Sequence, residues 1–190
     1  QIDGAVAAWE EHESPYALIA AQLAQAAAPG AGLALDPATP FAFAAALMDA
    51  VQGRVISAQQ MISAQRQVKS AAEVALIQTA MEASLSVQKA VYAGLRAGVM
   101  ASEVKAFIAA AHRALGLTPL FAAVQFGEAT AYPHGVPQDQ SLTVGDMVLV
   151  DLGATLHGYC SDITRTYVFG TPTPRQRQLW ELERQAQTAA

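Results

Sequence analysis

The sequence predicts a mixed α/β (α+β) fold in two parts, residues 1–67 and residues 68–190. Two observations support this prediction. Apolar residues recur at helical spacing over long segments, and short apolar runs rich in β-branched residues follow them. Glycine and proline separate these segments, as expected at turns. Runs of helices followed by runs of strands are typical of the α+β class.

Residues 1–67 are predicted to form a small α/β region that ends in a linker. Ser14 followed by Pro15 predicts the start of a first helix, because serine caps helices and proline fits their first position. The other predicted elements are, in order, a break at 28–32, a strand at 33–35, a helix at 36–50, a strand at 53–57 and a connecting segment at 59–69.

Two helices open the second part. Ser70 and Glu73 have the spacing of a capping box, and the apolar repeat behind them predicts a long helix that ends near Gly94. A second amphipathic helix is predicted between Ser102 and Gly116, with glycine as its stop.

Strands are predicted next, at residues 120–126, 147–152 and 159–169. A last helix follows Thr173, which is predicted to be its N-cap, with Pro174 at the first helical position.

The segment 147–170 predicts a β-hairpin that carries two aspartates. A turn centred between residues 156 and 157 places Asp151 directly opposite Asp162. Opposed residues have Cβ atoms about 4.5–5.5 Å apart. A bulge at Gly158 would shift this register by one residue.

These paired carboxylates indicate a possible metal site. The apolar run before Asp151 predicts a strand buried on both faces, and two buried like charges must protonate, acquire a cation or bind a metal. Hard divalent ions prefer oxygen ligands, and bridging carboxylates hold pairs of such ions. Two alternatives stay open from the residues alone: the aspartates are solvated or cap turns, or Arg165 neutralises one of them.

Composition restricts the function classes. The formal net charge is −5 and the basic residues are scattered, so we expect no nucleic-acid partner. No apolar run reaches the roughly 20 residues that a membrane span needs. A single cysteine, Cys160, has no partner within the chain, which favours the reducing cytoplasm.

Three segments resemble the creatinase/prolidase "pita-bread" metallopeptidases. The first two are Gly145-Asp-Met-Val-Leu-Val-Asp-Leu-Gly and Gly158-Tyr-Cys-Ser-Asp-Ile-Thr-Arg-Thr, and the third is Ala131-Tyr-Pro-His-Gly, which is similar to the family's Pro-His-Gly segment. The resemblance covers residues 68–190 and implies the first half of a pita-bread catalytic domain. Residues 1–67 more loosely resemble the later part of the creatinase-type N-terminal α/β domain of prolidases and Xaa-Pro aminopeptidases.

The resemblance implies functional residues and ligands. It makes Asp151 and Asp162 ligands of two divalent metal ions (manganese, cobalt or zinc), and it places His134 in the active site, against substrate or the reacting carbonyl. Thr164 lies two residues beyond Asp162, so both share a strand face and the threonine hydroxyl is expected to bond a ligand. The implied function is hydrolysis of Xaa-Pro bonds in short proline-containing peptides, in a cytoplasmic homodimer.

The family's centre uses five protein ligands, and three of them cannot be assigned here. They are a later histidine and two later glutamates, whereas the only acids after Asp162 are Glu181 and Glu183 on the last predicted helix. We therefore expect an internal portion of a longer protein, which alone binds metal weakly and hydrolyses nothing. One alternative is a non-catalytic peptide-binding homologue. A creatinase-like amidinohydrolase is a second and less favoured alternative, because the aspartate pair argues against it.

The remaining polar residues are assigned structural or surface positions. His157 is expected at the hairpin tip, and His12 and His112 are expected to be exposed. Cys160 is expected to be a small buried hydrophobe, and Arg165 is expected to be structural.

Overall fold

A computed structural model describes residues 4, 6–26, 31–51 and 55–190. The chain divides into two compact units, with the boundary between Lys69 and Ser70. The assignment of residues 1–67 and 68–190 to two domains of the resembled family stays a prediction. Within the described residues, no helix is long and apolar enough to cross a membrane.

Among its described residues, the first unit has three helices and a two-stranded parallel sheet. Its elements are α1 (Pro15–Ala26), β1 (Leu33–Leu35), α2 (Phe41–Ala50), β2 (Val55–Ser57) and α3 (Gln59–Gln67). Strands β1 and β2 run parallel with Leu33 beside Val55, so α2 is the crossover between them. The Ser14 hydroxyl accepts a hydrogen bond from the Ala17 amide (3.2 Å), which confirms the predicted cap of α1.

Two predictions in this unit were wrong. The second helix starts at Phe41 rather than Asp36, because the Asp36 carboxylate accepts from the Ala38 amide (2.7 Å) and forms a local turn instead. Residues 59–67 are helical rather than a connecting segment, and their glutamine, alanine, methionine and arginine residues are good helix formers. The predicted break at 28–30 and the predicted strand residues 53 and 54 lie outside the described residues.

The second unit packs two helices against an antiparallel sheet. Its elements are α4 (Ala71–Gly94), α5 (Ala101–Ala114), β3 (Thr118–Phe126), a 3₁₀ turn (Gly127–Ala131), β4 (Met147–Leu156), β5 (Tyr159–Cys160), β6 (Ile163–Val168) and α6 (Pro174–Ala189). Strand β4 is central, with β3 on one side and both β5 and β6 on the other.

Capping side chains define the helix starts in this unit. Ser70 and Glu73 form the predicted capping box of α4, with the Glu73 carboxylate accepting from the Ser70 amide at 2.6 Å. Thr173 and Gln176 form the corresponding box of α6. Helix α5 begins one residue before the predicted Ser102, because the Glu103 carboxylate accepts from the amide of Met100 (2.8 Å).

The core lies between the sheet and helices α4 and α5. Val148, Val150 and Leu152 of β4 are fully buried there, packed among apolar residues of both helices. Leu149 and Asp151 alternate with them and are only half-buried on the opposite face. The prediction that this strand is buried on both faces was therefore wrong, since β4 has a covered inner face and an open outer face.

Candidate metal centre

The hairpin turn that sets the site consists of His157 and Gly158. Both have positive φ angles (49° and 85°), the pattern of a two-residue type I′ turn. Leu156 pairs with Tyr159 across it. The predicted turn was therefore placed one residue too early, and the strand register is shifted by two residues from the predicted one.

This shift changes which residue faces Asp151. Its partner on β6 is Thr164, not Asp162. Asp162 lies two residues earlier, in the gap between β5 and β6, and is a diagonal neighbour of Asp151. Because side chains alternate with a period of two, a two-residue shift leaves both aspartates on the same face of the sheet.

The electrostatics of Asp162 indicate that the two carboxylates are close. Partial desolvation, the negative charge of Asp151 and a hydrogen bond with that residue together raise the pKa of Asp162 above its usual value. The Thr164 hydroxyl donates to Asp151 Oδ1 at 2.9 Å, and this bond orients the Asp151 carboxylate. The predicted bond from Thr164 to one of the aspartates is thus present.

His134 lies one strand away from this pair, on the exposed loop after the 3₁₀ turn. With Gln125 and Ala123 of β3 it lines a cavity of about 390 Å³. Ala123 is the neighbour of Asp151 across the β3–β4 ladder, so the cavity extends to the strand beside the carboxylates. His134 and the aspartates are not brought into direct contact by any hydrogen bond or ion pair among the described residues.

A glycine on β4, Gly153, allows close packing two residues along the strand from Asp151. A Cβ added at Gly153 would lie 2.5 Å from Phe121 Cε1 and 2.6 Å from the Ser161 carbonyl oxygen. Phe121 therefore packs directly over the backbone of β4 at Gly153, two residues along the strand from Asp151. Any larger residue at position 153 would displace this ring or the Asp162-bearing segment.

The aspartate pair fits a divalent cation. A cation beside the pair would offset the negative charge of Asp151 that helps to raise the pKa of Asp162, and carboxylate oxygens suit hard ions. The pair is only part of a site, because no group of three or more histidine, cysteine, aspartate or glutamate side chains comes together within the described part of the chain. Arg165 does not take the role of the cation: in the described part of the chain it forms no ion pair with either aspartate, and its guanidinium donates to the Thr164 carbonyl (2.8 Å).

Three other polar residues were also assigned from the sequence. His157 is exposed at the hairpin tip, as predicted. Cys160 is exposed rather than buried, because it lies on the outward side of the short strand β5. His112 is fully buried, so its predicted exposure was wrong. Val104, Ile108 and His112 follow each other at intervals of four, and this helical spacing would have placed the histidine on the inner face of α5.

Buried polar residues behind the hairpin were not predicted from the sequence. Ser84 and Gln88 lie four residues apart on the inner face of α4, and Ser161 immediately precedes Asp162. The signal was present in the sequence: two polar residues interrupt the apolar stripe of a helix at helical spacing.

Comparison with known proteins identifies relatives over nearly the whole chain. The Bacillus subtilis protein YkvY is 33% identical over 186 residues, which cover 96% of this chain and 51% of YkvY. The Xaa-Pro dipeptidase of Pyrococcus horikoshii is 35% identical over 127 residues, 66% of this chain and 36% of that protein. This chain therefore spans about half the length of YkvY.

A solved structure gives the same result for the fold. The crystal structure of the dipeptidase PepE from Mycobacterium ulcerans superposes with a TM-score of 0.77 at 36% identity and covers 91% of this chain and 46% of that one. The mixed α/β architecture is thus that of part of a pita-bread metallopeptidase. Residues 75–190, which carry both aspartates, match metallopeptidase family M24. With this match and the relatives above, the resemblance predicted from the sequence is confirmed, and the chain belongs to metallopeptidase family M24.

Proposed function

We propose that the complete protein hydrolyses Xaa-Pro bonds in short peptides with the aid of divalent metal ions. The observation that carries this proposal is the aspartate pair: Asp151 and Asp162 are adjacent on the open face of the sheet, within the segment that matches the family. The name of the Pyrococcus horikoshii relative supports the Xaa-Pro specificity.

In this proposal the two aspartates hold the metal and Thr164 fixes the orientation of one of them. Oδ1 of Asp151 accepts the hydrogen bond from Thr164, and the other carboxylate oxygen, Oδ2, is left to bind the cation. A bound divalent pair would supply an activated water and polarise the scissile carbonyl. A bound cation replaces the repulsion between the two aspartates with attraction. Metal binding is therefore favoured at pH values above the raised pKa of Asp162, where its carboxylate is ionised.

His134 is proposed to contact the substrate. Its exposed imidazole lines the cavity beside β3, where it can donate a hydrogen bond to a peptide carbonyl or to the departing amine. The remaining ligands of a complete centre, a histidine and two glutamates in the resembled family, are proposed to come from outside these 190 residues. Manganese as the metal, a homodimer and a cytoplasmic location are further parts of the proposal.

A peptidase assay on the complete protein tests this function. Xaa-Pro dipeptides and Xaa-Pro-Yaa tripeptides, offered with added manganese, separate a dipeptidase from an aminopeptidase, and creatine tests the amidinohydrolase alternative. Asp162→Ala should abolish hydrolysis, whereas Glu183→Gln, on the exposed face of α6, should leave it unchanged. Full activity of Asp162→Ala would refute the metal assignment, and a metal-loaded protein that cleaves none of these substrates would indicate a binding module.

A further inference from the structure

A cluster of buried polar side chains lies behind the candidate metal centre. Ser84 and His112 are completely buried, Ser161 is 1% exposed and Gln88 is 4% exposed. We call these four residues the polar anchor. They lie on α4, α5 and the hairpin, at the interface that is otherwise filled by apolar side chains. Buried polar groups destabilise a core unless they are hydrogen-bonded, so such a cluster calls for a physical reason.

The first part of the polar anchor converges on Ser161. The Ser84 hydroxyl lies 2.6 Å from the Ser161 hydroxyl and 3.0 Å from His112 Nε2. On its other side Ser161 is joined to Ala154 of β4: its hydroxyl accepts from the Ala154 amide (3.1 Å), and its own amide donates to the Ala154 carbonyl (2.8 Å). Both helices and the central strand are thereby linked to this one residue.

The position of Ser161 determines the direction of Asp162. The two residues lie between β5 and β6, and the bonds of Ser161 to Ala154 hold this short segment against β4. Ser161 points inward and Asp162, the next residue, points outward to the face of Asp151. Any rotation of this gap that released Ser161 from the core would also turn the Asp162 carboxylate away from its partner.

Gln88 binds the backbone next to both aspartates. Its side-chain amide donates to the carbonyl oxygens of Val150 (2.8 Å) and Ile163 (3.0 Å). Val150 immediately precedes Asp151, and Ile163 immediately follows Asp162. One side chain on α4 therefore holds both aspartate-bearing segments together from the inner face of the sheet.

We propose that Ser84, Gln88, His112 and Ser161 are positioning residues for the metal centre. They act through the backbone: Ser84 and His112 fix Ser161, Gln88 joins the two segments, and together they set the relative position of the two carboxylates. This inference rests on the proposed function, since it assumes that Asp151 and Asp162 bind the metal. It assigns a use to a polar cluster that an apolar core would not need.

The test compares two serine variants on the same helix in the complete protein. Ser84→Ala removes the hydroxyl that joins Ser161 to His112. The substitution should not weaken helix α4, because alanine is the best helix former. Ser86→Ala is the matched control, since Ser86 is exposed and bonds only locally to the Ala83 carbonyl. Mn²⁺ affinity is measured by titration calorimetry, and stability is measured separately by thermal unfolding of the metal-free protein.

Ser84→Ala should bind Mn²⁺ about tenfold more weakly or worse, the usual effect of removing a group that orients a ligand, while Ser86→Ala binds like the wild type. Gln88→Met, which keeps the length of the side chain but loses its donor, should weaken binding in the same direction. Val87→Ala, a buried apolar change on α4, should lower the melting temperature without altering the affinity.

Two results would overturn the inference, and they are distinguishable. Wild-type Mn²⁺ affinity in both Ser84→Ala and Gln88→Met, with only the melting temperature reduced, would make the polar anchor purely structural. A wild-type protein that binds no Mn²⁺ would overturn the metal site itself and this inference with it.

Discussion

The two faces of strand β4 differ in nearly every physical respect, although their residues alternate along one chain segment. The inner face presents Val148, Val150 and Leu152 to the helices, and none of these side chains is exposed. The outer face presents Leu149 and Asp151, which are half-buried and are not covered by a helix of the core. One strand thus supplies the packing of the fold on one side and the candidate chemistry on the other.

This difference separates stability from function at the level of single residues. Inner-face substitutions are expected to alter the free energy of unfolding, because they leave cavities in a close-packed core. Substitutions of Asp151, Asp162 and Thr164 on the outer face are expected to alter metal affinity, because these side chains are the proposed ligands and a group that orients one of them. The polar anchor is the exception, since its residues lie inside and act on the outside.

The largest expected effect is on stability and comes from the inner face. Leu152→Ala should lower the free energy of unfolding by about 2–5 kcal/mol, since Leu152 is fully buried. Leu149→Ala, the same change on the half-buried outer face, should cost much less. Urea denaturation of both variants measures the difference. Equal losses would contradict the distinction between the two faces.

An intermediate effect is expected at the glycine that faces Phe121. Gly153→Ala introduces a Cβ 2.5 Å from the Phe121 ring and 2.6 Å from the Ser161 carbonyl, so it should destabilise the fold by about 1–3 kcal/mol. Adding Phe121→Ala should relieve only part of this strain, because the backbone contact remains. Denaturation of the single and double variants checks this, and an undisturbed Gly153→Ala protein would contradict the described close approach.

A smaller effect is expected where a hydroxyl orients a ligand. Thr164→Val removes the bond to Asp151 Oδ1 and should reduce Mn²⁺ affinity about tenfold in the complete protein, with little change in stability. Thr166→Val, two residues further along β6, is the control on the same strand. If both variants bind Mn²⁺ equally well by calorimetry, the orienting role of Thr164 is wrong.

The smallest expected effect is a pH dependence that originates on the inner face. Burial lowers the pKa of His112 below its ordinary value of 6.5, with the Ile108 backbone acting weakly in the opposite direction. Below this ordinary value the unfolded chain therefore takes up more protons than the folded chain, so stability should fall as the pH decreases from 7 through this range.

Comparison with His112→Gln isolates this contribution. Asp162, whose pKa is raised in the folded chain, has the opposite effect at lower pH and is unchanged in the variant. Urea denaturation is measured over a pH series that starts at pH 7 and passes below 6.5, the ordinary pKa of histidine. Over this range the wild type should lose stability more steeply than His112→Gln. Parallel curves for the two proteins would contradict the buried neutral state of His112.

Most of the fold was predictable because its signals are local. The capping boxes at Ser70 and Thr173 depend on residues three apart, and both were predicted correctly. Helix α3 was missed because Met61 and Ile62 are the only large apolar side chains in its segment, and none of its residues is buried. Good helix formers without a longer run of apolar residues gave too weak a signal.

The site was predicted in its residues but not in its geometry. The hairpin sequence indicated two nearby aspartates, yet the turn type decides the register. Type I′ turns prefer asparagine, aspartate or glycine at the position that His157 occupies, so the sequence did not point to this turn. The pairing with Thr164 depends on this detail. Residues Ser84 and His112 could not be connected to Asp162 from the sequence, since packing of two helices on the hairpin brings them together.

The most direct test of the central claim is a crystal structure of the complete protein grown with manganese. The anomalous signal locates Mn²⁺ independently of any assay. We expect manganese coordinated by the carboxylates of Asp151 and Asp162, and no such signal there in Asp162→Ala crystals. Manganese bound elsewhere, with these two carboxylates left without metal, would contradict the assignment of the aspartate pair as the metal site.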